Sequence, residues 1–340
     1  MLDIKSAKSL KKYNSFGVDV QAERWLELNQ VEELSELIKW NKANNQFPIL
    51  ILGGGSNILF TQDYQGLVVK NNLKGIELVA EDEEQVLIRA YGGENWHEFV
   101  LWCLENNYYG IENLSLIPGT VGAAPIQNIG AYGVELKDVF NRLSAVHLET
   151  GELHSFDYAD CQFAYRNSVF KQKLKHKYCI VEVVLRLSKT ARSNTRYGAI
   201  QTILKERGIE NPSPKAVSRA VIHIRQQKLP DPKKIGNAGS FFKNPIISER
   251  QYEKLKQDFP YLPSYATKNE QIKLPAAWLI EQANWKGKRF GDAGVHQEHA
   301  LVLVNYGKAE GKSIKNLALD IAYDIERRFG ILLNPEVDIL

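Results

Sequence analysis

Short aliphatic runs separated by glycine, asparagine and acidic breaks dominate the first half of the chain. ILIL at 49–52, LVVK at 67–70 and VLIRA at 86–90 have strand length and aliphatic, partly β-branched composition, and predict strands. Residues 181–187 alternate, which predicts Val181, Val183, Leu185 and Leu187 on one buried face and Glu182 and Arg186 on the other. Helical periodicity is rarer here. Trp96, Phe99, Val100, Cys103 and Leu104 recur at helical spacing behind Asn95, a good N-cap. After a polar stretch at 190–215, Ser213 and Pro214 predict the cap and first turn of a helix. Its Val217, Ala220, Val221 and Ile224 share a face. Further helices are predicted over about 276–283 and over 313–329, the second capped by Ser313 and stopped by Gly330. A strand-rich front and a mixed rear predict an α+β fold, not a regular βαβ array.

Composition removes several classes. With 44% apolar and 24% charged residues in 340, the chain is neither disordered nor fibrous. That length exceeds what one core usually fills, so two or three domains are expected. No apolar run nears the roughly 20 residues of a membrane span, and no apolar segment follows Lys5, Lys8, Lys11 and Lys12 as a secretory signal would require. Cys103, Cys161 and Cys179 form neither a disulfide framework nor a zinc pattern, which suits a reducing, cytoplasmic setting. A net charge of +3 neither demands nor excludes an anionic ligand.

Two glycine-rich stretches carry candidate chemistry. Gly53, Gly54, Gly55, Ser56 and Asn57 follow the first strand directly. Bare backbone N–H groups there suit a phosphate, although Ile58 replaces the third glycine of the dinucleotide fingerprint; a plain loop is the alternative. IPGTVGAAPIQNIGAYG at 117–133 is nearly free of side-chain bulk yet apolar and stiffened by Pro118 and Pro125, which suits a flat ligand lying along the chain. Two other patterns are decoys. Gly307 stands one residue too close to Gly311-Lys312-Ser313 for a P-loop, and His296 and His299 on a strand would point to opposite faces, so no metal is expected. Ser240, between Gly239 and Phe241-Phe242, lacks the trailing glycine of a hydrolase elbow; taken alone it reads as a buried turn serine, and it could act as a general acid if a carboxylate or lysine tuned it.

In combination and in this order, LGGGSN, IPGTVGAAPIQNIGAYG, YRNSVFK, GNAGSFFKNP, PAAWLIEQ, ALVLVN and the terminal Pro335-Glu336-Val337 resemble the UDP-N-acetylenolpyruvoylglucosamine reductase family. The likeness runs from Asn14 to Val337. It implies a two-part FAD-binding unit of the vanillyl-alcohol oxidase type plus an α/β substrate-binding domain. Chain order suggests 1–75 and 76–210 for FAD and 211–334 for substrate, with the tail 335–340 returning to the site. It further implies non-covalent FAD held by Gly53, Gly54, Gly55, Ser56 and Asn57 and by Pro118, Gly119, Thr120, Gly122, Ala123, Asn128, Gly130 and Ala131. Arg166, Ser240 and Glu336 would be catalytic, and Tyr197, Lys228, Asn244, Tyr265 and His299 would hold substrate. Arg196-Tyr197-Gly198 with Tyr265 resembles the longer subtype, in which a tyrosine-bearing loop closes over substrate. NADPH is the implied hydride donor and UDP-N-acetylglucosamine enolpyruvate the implied substrate, in peptidoglycan synthesis, with no nucleic-acid partner and no membrane insertion. Another oxidoreductase on the same scaffold would not need GNAGSFFKNP or Pro335-Glu336-Val337, and a non-enzymatic sugar-nucleotide binder would need neither glycine-rich loop.

Overall fold

A computed structural model describes residues 2–267 and 270–340. The chain forms two compact units: one of the chain up to Lys8, Ala22–Gly55 and Tyr64–Gln227, the other of Ser9–Gln21, Ser56–Asp63 and Lys228–Leu340.

The first unit contains two sheets. In one, Gln21–Leu28 and Ile49–Leu52 both pair in parallel with Tyr64–Asn71, the helix Glu33–Ala43 making the crossover, and Lys5–Ser9 lies at the edge. The second is antiparallel, in the order Leu153–Phe156, Phe140–His147, Tyr178–Ser188, Gln85–Tyr91 and Ile76–Glu81. The helix Trp96–Glu105 buries Trp96, Phe99, Val100, Cys103 and Leu104 in its core, and the Asn95 carboxamide oxygen accepts from the N–H groups of His97 at 2.9 Å and Glu98 at 3.1 Å. The alternation at 181–187 breaks at its first member. A β-bulge opposite Ser144 and Ala145 turns the strand over, so Val181 joins Cys179 in the core of the parallel sheet while Ile180, Val183, Leu185 and Leu187 face the other core.

Helices Gly198–Glu206 and Pro214–Lys228 pack together through Ile200, Leu204, Val217, Ala220, Val221 and Ile224. Their shared core carries the first unit through Gln227, past the division suggested at residue 210.

The second unit has a four-stranded antiparallel sheet in the order Gly236–Ser240, Val302–Asn305, Ala293–Val295 and Arg289–Phe290, and a three-stranded one of Ile246–Ser248, Gln271–Lys273 and Tyr265–Ala266. Helices Glu249–Asp258, Ala276–Gln282 and Gly311–Phe329 accompany them. The long helix begins two residues before Ser313, with Glu310 at its cap position. A side chain at Gly311 would run into the Phe60 carbonyl, so the first turn seats its glycine there. Gly330 ends the helix in the left-handed region at φ 63°. No helix among the described residues is long and apolar enough to cross a membrane.

Candidate functional site

In the first unit the two glycine-rich stretches, far apart in sequence, abut. A Cβ on Gly54 would lie 2.8 Å from the Gly119 Cα, and one on Gly53 would lie 2.6 Å from the Thr120 hydroxyl. Glycine is required because backbone meets backbone. The Lys70 ammonium, not foreseen from the sequence, donates to the Gly53 carbonyl at 2.7 Å and steadies the turn. The facing loop is pinned to the start of the helix behind it: Trp96 N–H donates to Gly119 O (3.1 Å), Val121 N–H to Glu94 O (2.9 Å) and Gly122 N–H to Gly92 O (2.9 Å).

This junction fits a dinucleotide cofactor by a direct test. The Thr120 hydroxyl is buried beside the GGG turn with no hydrogen-bond partner among the described residues, and such an orphan costs about 1–3 kcal/mol unless a ligand satisfies it. Gly54 is exposed and Gly53, Ser56 and Asn57 are half-buried, so backbone donors are within reach of a phosphate. Cysteine attachment of a flavin has no support, since all three thiols are buried; burial pushes Cys161 and Cys179 up to about 12 and Cys103 higher still.

Further along the same loop, Asn128 is fully buried in the left-handed region at φ 44°. Its carboxamide donates to Glu135 at 3.2 Å and Ala164 O at 3.1 Å and accepts from Lys137 N–H at 3.0 Å. Those bonds bind the loop to the turn Ala164–Asn167, where Arg166 sits at φ 51° and donates to Gly130 O at 2.5 Å. A side chain at residue 130 would press on that guanidinium at 3.0 Å. Ala131 and Pro118 lie on the same loop, half-buried and exposed respectively. Tyr197, at the head of helix Gly198–Glu206, stacks edge-on against Tyr132 with ring centroids 5.2 Å apart.

The second unit holds the remaining candidates. Ser240 ends an edge strand just after a bulge at Gly239, whose φ is 70°. It is half-buried, and among the described residues its hydroxyl has no hydrogen-bond partner, while Phe241 and Phe242 are buried in the core. The tail packs directly on this segment. Glu336 N–H donates to Phe241 O at 2.8 Å and Lys243 N–H to Asn334 O at 2.9 Å. On its other edge, Asp338–Ile339 pairs in parallel with Ile58–Leu59, and the Asn57 side chain donates to Glu336 O at 3.2 Å. Ser240 and Glu336 are therefore brought together, and the tail is strand-paired on both sides.

Asn244 has its carboxamide oxygen taken by Ala276 N–H at 2.9 Å, so it caps the PAAWLIEQ helix and keeps its NH2 for other partners. Lys228 and Tyr265 are exposed. His296 and His299 lie in the turn between Ala293–Val295 and Val302–Asn305, not on a strand, and their rings stack 6.4 Å apart, so strand geometry does not separate them. Burial, then the charges of His296, Lys228 and Lys286, lower the His299 pKa and favour a neutral ring. Among the described residues no group of three or more His, Cys, Asp or Glu gathers to hold a metal. Arg225, which donates to Leu116 O at 3.2 Å and hydrogen-bonds the Tyr132 hydroxyl, braces the start of this loop and carries no motif in the sequence.

Comparison with known proteins agrees with this arrangement. Residues 23–157, spanning both glycine-rich stretches, match an FAD binding domain family, and residues 231–340 match the C-terminal domain of UDP-N-acetylenolpyruvoylglucosamine reductase. The chain is 47% identical over 340 residues to the Flavobacterium johnsoniae UDP-N-acetylenolpyruvoylglucosamine reductase, covering 100% of both chains. It is 51% identical over 335 residues to that of Pseudomonas syringae pv. syringae, covering 98% of each. The crystal structure of the Thermus caldophilus enzyme shares the fold at a TM-score of 0.66 and 22% identity, over 100% of this chain and 98% of that one. A solvent-stable cholesterol oxidase shares it more loosely, at a TM-score of 0.51 and 12% identity over 98% of this chain and 87% of that one. The fold is thus α+β with an FAD-binding domain, and the chain belongs to the UDP-N-acetylenolpyruvoylglucosamine reductase family of flavoprotein oxidoreductases.

Proposed function

We propose that this protein uses NADPH and non-covalent FAD to reduce the enolpyruvyl group of UDP-N-acetylglucosamine enolpyruvate, giving UDP-N-acetylmuramate. The observation that carries this reading is the pairing of the Glu336 segment with the strand end at Ser240, which joins an acid to an uncommitted hydroxyl. Gly53 to Asn57 would hold the cofactor pyrophosphate, and Pro118, Gly119, Thr120, Gly122, Ala123, Gly130 and Ala131 would lie along the flavin, with Asn128 bracing their loop. When bound, FAD supplies hydride relay between NADPH and C3 of the enol ether.

Addition at C3 builds negative charge at C2 and on the neighbouring carboxylate. Arg166 and Glu336 would act as the enolate-stabilising pair, and Ser240 would deliver the proton to C2. Tyr197, Lys228, Asn244, Tyr265 and His299 would hold the sugar nucleotide and its diphosphate. Soluble substrates on both sides of the reaction fit a cytoplasmic site of action. The test is NADPH oxidation with and without UDP-N-acetylglucosamine enolpyruvate under anaerobic conditions. Substrate-dependent oxidation, with a product two hydrogens heavier, is expected. Flavin that NADPH reduces but that the enolpyruvyl compound never reoxidises would overturn the reading.

A further inference from the structure

The helix Pro214–Lys228 presents two groups, seven residues apart, to the start of the 117–133 loop. The Ser218 hydroxyl lies 2.7 Å from the buried Ser115 hydroxyl, and Arg225 Nε donates to Leu116 O at 3.2 Å. Leu116 is itself in the left-handed region at φ 58°, and its N–H donates to His97 Nδ1 at 3.0 Å. Both sides of that residue's backbone are therefore clamped. The Arg225 guanidinium is withdrawn from solvent and hydrogen-bonded to the Tyr132 hydroxyl, and burial, together with the nearby charge of Arg166, lowers its pKa. No aspartate or glutamate among the described residues pairs with it.

A desolvated guanidinium without an anion is costly, and such groups are normally paired or satisfied by a ligand. Two neutral acceptors leave most of its five N–H donors unspent. The planar fork and its proximity to Arg166 suit a carboxylate better than a lone point contact would. Tyr132 adds a second connection. Its ring stacks on Tyr197, its carbonyl accepts from Asn113 at 2.9 Å, and the same Asn113 carboxamide donates to Asn194 O at 2.8 Å. One tyrosine thus touches both the arginine and the segment leading to Tyr197.

We propose that Arg225 is a second cationic holder of the substrate's enolpyruvyl carboxylate beside Arg166, and that Tyr132 is the positioning residue that aims it and ties it to Tyr197. The assignment rests on the proposed function and adds two residues to it.

The test is titration of the oxidised holoenzyme with UDP-N-acetylglucosamine enolpyruvate and with UDP-N-acetylglucosamine, which lacks the carboxylate, read by the flavin absorbance change. Arg225→Gln should weaken the enolpyruvyl ligand about 10- to 100-fold and leave UDP-N-acetylglucosamine within about threefold. Arg225→Lys should recover part of the loss. Tyr132→Phe keeps the ring on Tyr197 and should weaken the same ligand selectively by about three- to tenfold. Unchanged flavin content and thermal midpoint in Tyr132→Phe keep the test valid if Arg225→Gln misfolds. Equal loss for both ligands would make Arg225 a diphosphate or scaffold residue and overturn the proposal; so would no loss for either. Wild-type enzyme that binds neither ligand would instead remove the proposed function, and this assignment with it.

Discussion

The 117–133 loop and the 334–340 tail are both fixed by partners far away in sequence, yet by opposite means. The loop is shaped by what its residues lack. Gly119 and Gly122 let main chain approach main chain, while the Thr120 hydroxyl has no partner among the described residues and the Asn128 carboxamide is spent on protein contacts. The tail is shaped by backbone pairing on two edges, which fixes the main chain at Glu336. A binding surface that must follow a large cofactor is thus built by subtraction, whereas a reacting group is mounted on a rigid strand. The two designs fail differently when mutated.

Bulk in the subtracted region reaches furthest, because it removes the cofactor and with it both half-reactions. In Gly54→Val the new Cβ meets Gly119 Cα at 2.8 Å and its carbonyl carbon at 3.3 Å, and backbone cannot swing aside as a side-chain tip can. The loops must separate, so purified protein should carry less than about a tenth of the normal flavin, against a barrier-free expectation for an exposed loop residue. Absorbance near the flavin bands, with far-ultraviolet circular dichroism as the folding control, checks this. Full flavin content would show that the junction yields. In wild type, acid precipitation should release all flavin to the supernatant, because neither loop contains His or Cys and every thiol is buried.

On the mounted side, changes should leave binding intact and strike turnover. Ser240→Ala should cut reoxidation of reduced flavin by the enolpyruvyl substrate by about 10²–10⁴, equal to roughly 3–5.5 kcal/mol of barrier. Reduction by NADPH should stay near normal, since no proton from Ser240 is needed there, and Ser240→Cys should restore part of the loss. Equal slowing of both half-reactions in stopped-flow spectra would make Ser240 a pocket-shaping group. Glu336→Gln should cost about 10²–10⁴ in turnover with little change in thermal midpoint, because the main-chain bonds that seat residue 336 are kept. A drop in midpoint comparable to that of a truncated tail would mean that the carboxylate serves the fold.

The contrast also explains what could be read in advance. Steric and cap signals are local, so the Asn95 cap, the Ser213-Pro214 helix start and the Gly330 stop are visible in the sequence and present in the structure. The bulge that sends Val181 to the other core is a property of strand pairing and leaves no mark in an alternating string. The long helix starts at Gly311, where only glycine fits against the Phe60 carbonyl some 250 residues away, a tertiary contact that no local cap preference encodes. Ser240 and Glu336 stand out only through the combined motifs, since an isolated serine or a near-terminal glutamate has an ordinary environment in sequence. Arg225 has no motif at all. Its significance comes from burial and from having no aspartate or glutamate partner among the described residues, both tertiary facts.

The smallest expected effect is the sharpest test of the subtractive design. Thr120→Val preserves shape and removes a buried hydroxyl beside Gly53 that has no partner among the described residues. If that hydroxyl exists to meet the cofactor, the apoprotein no longer carries an unsatisfied group and should gain about 1 kcal/mol of stability. The holoenzyme should lose a hydrogen bond, weakening FAD binding about five- to tenfold. The two changes have opposite signs, which an ordinary packing residue would not produce, because a packing defect lowers stability with or without ligand. Thermal unfolding of flavin-stripped protein and FAD titration of the same preparation measure both. An apoprotein destabilised by the substitution would show that Thr120 finds a partner inside the protein, and the buried orphan would no longer argue for a ligand at this junction.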